Sequence, residues 1–219
     1  MTGRVVFDLD GTLIDSAPDI QGVANALLAE EGAAPLSLAE TRAFIGSGAP
    51  VFVARMRQAR GLPESAQARL LAEFVDRYDA AVDLTRPYPG AVAALDALAA
   101  AGCAIGLCTN KPLRPCRAVL AHLGLLDRFA TLVAGDSLPE RKPDPAPLRA
   151  ALEGLGAGPA IYVGDSEVDA ACARRAGVPF LLFTEGYRKA PVQDLPHDAA
   201  FSDFAALPDL ALGALRAAA

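Results

Sequence analysis

Five consecutive residues, Asp8-Leu9-Asp10-Gly11-Thr12, place two carboxylates one residue apart, directly ahead of a glycine turn. As a folding device this is poor. The like charges repel, and burying one carboxylate without a partner is costly. The pair makes sense where a cation and an anionic substrate arrive together. Three later segments carry complementary groups: Thr109-Asn110, Lys142 within Arg141-Lys142-Pro143-Asp144-Pro145, and Gly164-Asp165-Ser166-Glu167-Val168-Asp169. Asp8, Asp10 and Asp165 supply hard oxygen ligands, which suit octahedral Mg²⁺. Such an ion relieves their mutual repulsion and polarises a phosphoryl oxygen. Lys142 adds positive charge for the phosphoryl oxygens and Thr109 a hydroxyl donor. The turns at Gly11 and Asn110 expose backbone N–H groups. A carboxylate in such a site can attack phosphorus and form an aspartyl phosphate.

In this order the four segments resemble the motifs of the haloacid dehalogenase superfamily of phosphohydrolases: DxDGT, a hydrophobic stretch ending in Thr/Ser-Asn, a lysine, and GDxxxD. The resemblance covers the whole chain. Residues 8–19, 109–112 and 164–169 look most like the superfamily's phosphoglycolate phosphatases. It implies Asp8 as nucleophile, and Asp10 as the acid that protonates the leaving oxygen and then the base that activates water. Asp8 and Asp165 would bind magnesium through carboxylates and Asp10 through its backbone carbonyl. Asp169 would act through water or by orienting Lys142. Thr12 would restrain Asp10 beside the substrate, and Thr109, the Asn110 amide and Lys142 would hold the phosphoryl group. The implied substrate is a small phosphorylated metabolite, 2-phosphoglycolate, hydrolysed to glycolate and phosphate. A sugar-phosphate mutase with the same Asp8 and Asp10 is the nearest rival. Related mutases carry basic groups on the cap, whereas here the cap offers Arg but no Lys or His. Dehalogenases of the superfamily lack the second aspartate that Asp10 supplies. An aspartate phosphoacceptor signalling module also uses Asp, Mg²⁺ and Lys, but carries its acceptor on a later strand and has no large insert after the first.

Elements of two kinds must position these groups. Val5-Val6-Phe7 forms a short buried strand with Asp8 at its carboxyl end. Further strands are expected at Cys103–Thr109, Ala130–Ala134, Ala160–Val163 and Val178–Phe183. Helices are expected between them at Leu113–Leu123, Pro145–Leu155 and Glu167–Ala176. This alternation predicts an α/β, Rossmann-like parallel sheet with crossover helices. Ligands in such sheets sit outside the carboxyl ends of the strands. The first half breaks the pattern: after Val5–Leu9 no strand is expected until Cys103. Helical stretches at Ala17–Glu31, Leu38–Ile45, Val51–Arg60, Glu64–Tyr78 and Pro89–Ala101 are separated by Gly- and Pro-containing breaks. Residues 16–86 therefore form an all-helical cap domain inserted after the first strand of a core made of residues 1–15 and 87–219. Asp15 and Asp19 fit a hinge residue and a helix N-terminal acid. Gly46-Ser47-Gly48, between two cap helices, is expected to lower backbone amides onto the far end of the substrate. The competing reading is a simple helix break. Arg42 and Arg55 flank this loop and offer charge to a carboxylate.

Composition narrows the remaining choices. The 219 residues suffice for a sizeable core and a small second domain. With 53% hydrophobic and 21% charged residues, the chain has the make-up of a soluble globular protein, and no apolar run is long enough for a membrane span. Met1-Thr2-Gly3-Arg4 leads straight into the first strand, so no leader is expected and the expected compartment is the cytoplasm. The expected assembly is a monomer or homodimer. A net charge of −6 disfavours nonspecific nucleic-acid binding. Lys and His are absent from residues 1–110. Cys103, Cys108, Cys116 and Cys172 show no CxxC spacing and are expected as reduced thiols in or near the core. His122 and His197 are expected on a helix and in a loop, away from the chemistry.

Overall fold

Apolar alternation along short strands builds the core of the structure, a computed structural model that describes residues 3–218. The chain opens with β1 (Arg4–Phe7) and β2 (Ile14–Asp15). Four helices follow: α1 (Ala17–Glu30), α2 (Leu38–Phe44), α3 (Ala49–Ala59) and α4 (Gln67–Tyr78). Next come β3 (Arg86–Pro87), α5 (Ala91–Ala100), β4 (Ala104–Cys108), α6 (Leu113–His122), β5 (Thr131–Val133) and α7 (Ala146–Gly154). The chain closes with β6 (Ala160–Gly164), α8 (Glu167–Ala176), β7 (Phe180–Phe183), β8 (Ala199–Phe201) and α9 (Leu207–Ala217).

Six strands pair in parallel in the order β5-β4-β1-β6-β7-β8. Counted along the chain, these strands run 3-2-1-4-5-6, the Rossmann order. The direction of winding therefore reverses between β1 and β6, and a crevice opens there at the carboxyl edge. Successive strand residues point to opposite faces. Val5, Phe7, Ile161 and Val163 pack with α5, α6 and α9, whereas Val6 and Tyr162 pack with α7 and α8.

The helices α1–α4 enclose a core of their own, with Leu27, Phe52, Met56, Leu70 and Phe74 buried in it. The sequence marks their starts. Proline opens α1 and α3, where the missing N–H is not needed, and Ser37 and Glu40 form a capping box on α2. This is a helical cap inserted between the first core strand and the rest of the sheet.

Two expectations need correction. The stretch between Leu9 and Cys103 does contain strands: β2 and β3 pair antiparallel, Ile14 opposite Pro87 and Asp15 opposite Arg86. They lie where the chain leaves the core and returns to it. The edge strand β8 was not expected either. Both features are two or three residues long, too short for alternation to show. A second tie joins the two crossings, since the buried Asp19 carboxylate accepts from Thr85 N at 2.7 Å, Thr85 Oγ1 at 2.6 Å and Leu84 N at 3.1 Å. The four cysteines are unpaired, three of them buried. Among the described residues no helix is long and apolar enough to cross a membrane.

Candidate active site

Asp8 stands one residue past β1, Thr109 one past β4 and Asp165 one past β6, so the strand ends gather them beside the sheet reversal. Lys142 reaches the same place from the loop between β5 and α7. Its Nζ lies 2.8 Å from Asp8 Oδ1, 2.7 Å from Asp169 Oδ1 and 2.8 Å from the Tyr162 hydroxyl. An ammonium has three protons, and here each has a partner. Tyr162 in turn donates to Asp169 Oδ1 at 2.8 Å. The other Asp169 oxygen accepts from Ser166 N at 3.1 Å and Ser166 Oγ at 2.6 Å, which also caps α8. Asp165 accepts from Thr12 Oγ1 at 3.0 Å and from Tyr187 N at 2.5 Å. Glycines permit these close approaches. A Cβ on Gly11, whose φ is +89°, would lie 2.6 Å from Asp165 Oδ2, and one on Gly164 would lie 2.6 Å from the Asp169 carboxyl.

The buried charges do not balance. Asp8, Asp165 and Asp169 bring three carboxylates within 4.8 Å of one another, against the single cation Lys142. Burial pushes the Asp8 carboxyl up to about 7 even though Lys142 pulls it down, and Asp169 adds to the rise. Burial, Asp169 and Asp8 likewise hold Asp165 well above the usual carboxylate range. Burial would also raise Asp169, but Lys142, Ser166 and Tyr162 keep it below its ordinary value. Burial alone would lower Lys142, yet Asp169 and Asp8 hold it well above the usual ammonium value. Two surplus negative charges on hard oxygen donors fit one divalent cation. Asp169 is fully engaged by Lys142, Tyr162 and Ser166, which leaves Asp8 and Asp165 as the carboxylates with open positions.

Asp10 faces a different set of groups. Its Oδ1 accepts from Ser16 Oγ at 2.5 Å and from Lys111 Nζ at 3.1 Å. Lys111 also donates to the hydroxyl of Tyr78, on α4. Thr109 Oγ1 accepts from Lys111 N at 3.1 Å, so its own proton stays available. The backbone N–H groups of Asp10 and Asn110 find no acceptor among the described residues. The Asn110 side chain binds Lys142 at both its backbone N–H and carbonyl, and donates to the Gly46 carbonyl at 3.0 Å. A cleft runs between core and cap. Asp8, Asp10, Thr109, Asn110 and Lys111 line one side, and Ile20, Ile45, Gly46, Gly48, Phe52, Phe74 and Tyr78 line the other.

Several expected placements differ. Thr12 is fully buried and bonds Asp165, while Ser16 is the hydroxyl that holds Asp10. Gly46 turns its carbonyl, not an amide, toward Asn110, and Ser47 does not line the cleft. Arg42 pairs with Asp15 at 2.7 Å, and Arg55 donates to the Phe44 carbonyl at 3.2 Å, so neither lines the cleft. Lys111, Tyr162 and Tyr187 were missed. Lys111 had a signal, as the first lysine of the chain and the neighbour of Thr109-Asn110. Tyr162 sits mid-strand and Tyr187 in a distant loop, where nothing in their spacing marks them.

Residues 4–177 match the haloacid dehalogenase-like hydrolase family. The chain belongs to it. Within this hydrolase family it is 56% identical over 209 residues to a phosphoglycolate phosphatase of Cereibacter sphaeroides, covering 94% of this chain and 96% of the relative. It is 46% identical over 217 residues to a phosphoglycolate phosphatase of Rhodobacter capsulatus, covering 97% and 98%. The crystal structure of a predicted phosphoglycolate phosphatase from Haemophilus somnus superimposes with a TM-score of 0.88 at 32% identity, covering 95% and 97%.

Proposed function

We propose that this hydrolase cleaves phosphate monoesters through an aspartyl phosphate on Asp8, and that its substrate is 2-phosphoglycolate. One observation carries the reaction: a buried carboxylate at the cleft, locked to Lys142, faces a second carboxylate held apart from it by Ser16 and Lys111. The relatives' names support the choice of substrate.

Mg²⁺, held by Asp8 and Asp165, would neutralise the surplus charge and polarise the phosphoryl oxygens. The residues do the rest. Lys142, protonated and immobile, orients Asp8 and favours its anion against burial. The Thr109 hydroxyl and the backbone N–H groups of Asp10 and Asn110 receive the phosphoryl oxygens. The Asp8 carboxylate attacks phosphorus as the ester P–O bond breaks, and Asp10 gives its proton to the leaving oxygen. Asp10, now a carboxylate, takes a proton from water. That water attacks the phosphorus, the acyl phosphate bond breaks, and Asp8 and inorganic phosphate are released. Asp169 serves by orienting Lys142. The cap segment, residues 16–86, excludes water and selects the part of the substrate beyond phosphorus. Its wall is apolar and lends no cation to the cleft, which favours a hydrolase over a mutase that must hold a second phosphate.

Phosphate release over a panel of monoesters tests this function, with Asp8→Asn and Asp10→Asn beside the wild type. Asp8→Asn is expected to lose at least about 1,000-fold in kcat while remaining folded. Asp10→Asn should stall as a trapped phosphoenzyme when given an ester with a good leaving group. A folded Asp8→Asn protein with a tenth of the wild-type rate would remove Asp8 as nucleophile.

A further inference from the structure

We propose that Lys111 and Tyr78 together bind a carboxylate of the substrate, one donor from the core and one from the cap. This rests on the phosphatase reading above and deepens it. Lys111 is the one cationic side chain among the described residues on the Tyr78 side of the cleft, and its side chain is only 2% exposed; Lys189 lines the other side, next to Asp165 and Glu167. Lys142, the other buried lysine of the site, has all three protons engaged. Lys111 Nζ gives one proton to Asp10 and one to the Tyr78 hydroxyl, which leaves the third. Tyr78 accepts that bond and donates to nothing among the described residues. Burial, then Asp10, hold its phenol well above the ordinary value, so it keeps its proton at neutral pH. One N–H and one O–H therefore stand side by side, which matches the two oxygens of a carboxylate.

The alternatives fail on the same residues. The cap wall around Tyr78, with Ile20, Phe52 and Phe74, cannot solvate an anion. Arg42 and Arg55 are engaged elsewhere, and Lys189 is exposed on the Asp165 and Glu167 side, away from the Tyr78 wall. The geometry limits substrate length. Asp10 must reach the ester oxygen, and Lys111 is one hydrogen bond from Asp10, so the carboxylate must lie close to that oxygen. The fitting class is short phosphooxy acids with the carboxylate on the carbon that bears the ester.

The test compares 2-phosphoglycolate with ethyl phosphate, which has the same carbon count and no carboxylate. Lys111→Met should lower kcat/KM for 2-phosphoglycolate roughly 30- to 100-fold, mainly through KM, and Tyr78→Phe roughly 5- to 10-fold. Because Lys111 also holds Asp10, ethyl phosphate should lose rate too, but less than 2-phosphoglycolate does, by about 10-fold for Lys111→Met and about 3-fold for Tyr78→Phe; Lys111→Arg should recover part of the selective loss on 2-phosphoglycolate. Equal losses on the two esters, or a fall confined to kcat, would show that Lys111 acts only through Asp10 and would overturn the proposal. Should Lys111→Met not fold, Tyr78→Phe decides alone, and no selective loss there overturns the proposal as well. Wild-type enzyme inactive on both esters would instead overturn the phosphatase reading itself.

Discussion

The proposed attack needs an ionised Asp8, in a position that disfavours its ionisation. Its carboxyl is pushed up to about 7 chiefly by burial, and Asp165 beside it is raised as well. A raised carboxyl stabilises the fold fully below the ordinary carboxylate range near 4, and that contribution is lost as pH rises through about 7. Metal-free protein should therefore weaken between about pH 4 and 7. Asp169, held low by Lys142, Ser166 and Tyr162 against burial, works the other way and loses its contribution only at the acid end. A divalent cation on Asp8 and Asp165 must compete with protons at low pH. The gain in Tm when Mg²⁺ is added to chelator-treated protein should thus be small at pH 5 and large at pH 8. Scanning fluorimetry at both values checks this, and equal gains would place the metal elsewhere. The sequence announced the acids because two aspartates before a glycine turn need a reason to exist. It did not announce Tyr162, whose hydroxyl meets Lys142 only because β6 lies beside β1. Nor did it separate Thr12 from Ser16, since either hydroxyl is near Asp10 in sequence and only the turn decides which one reaches it.

At the scale of elements, the hinge depends on Tyr187. This residue follows β7, yet it closes the start of α1: its hydroxyl donates to Asp15 Oδ1 at 2.6 Å and accepts from Ser16 N at 2.9 Å and Ala17 N at 3.1 Å. Ser16, the residue before α1, cannot cap the helix with its own side chain, which is committed to Asp10. The backbone N–H of Tyr187 meanwhile holds Asp165. One loop residue thus fixes both Asp165, a metal ligand in the proposed reaction, and the cap's point of departure. Tyr187→Phe leaves the Ser16 N–H and Asp15 without this partner and Ala17 N–H with only a 3.3 Å bond to Asp15, so it should cost about 1–3 kcal/mol in urea unfolding. Mg²⁺ affinity should hold, because the N–H to Asp165 remains. A stable variant with weakened metal binding would reverse that division of roles. The helices themselves were legible, since Pro18, Gly32, Pro50 and Gly61 punctuate them. The pairing of β2 with β3 was not, because Pro87 lacks an N–H and two residues carry no period.

For the whole molecule, the sequence places the cap by insertion but says nothing of how it docks. Among the described residues, three polar contacts away from the hinge join it to the core: Asn110 to the Gly46 carbonyl, Lys111 to Tyr78, and Arg114 to Asp79. The first two belong to the cleft, so only the third can be altered without touching the site. Arg114 is 74% exposed, and exposed pairs add little to folding stability. Their effect on a docking equilibrium is another matter, because in the proposed reaction the cap opens for release and closes for chemistry, and a small bias between two such states changes binding. Arg114→Glu sets an acid against Asp79 and favours the open form. Global stability should stay within about 0.5 kcal/mol of the wild type. KM for 2-phosphoglycolate should rise roughly 2- to 5-fold, since binding must first restore closure. Salt supplies the control. At about 1 M ionic strength the Debye length falls to about 3 Å, and the variant and wild-type KM values should converge. A KM difference that survives in high salt would mean that the variant disturbs α6 itself, and the contact would then be no latch.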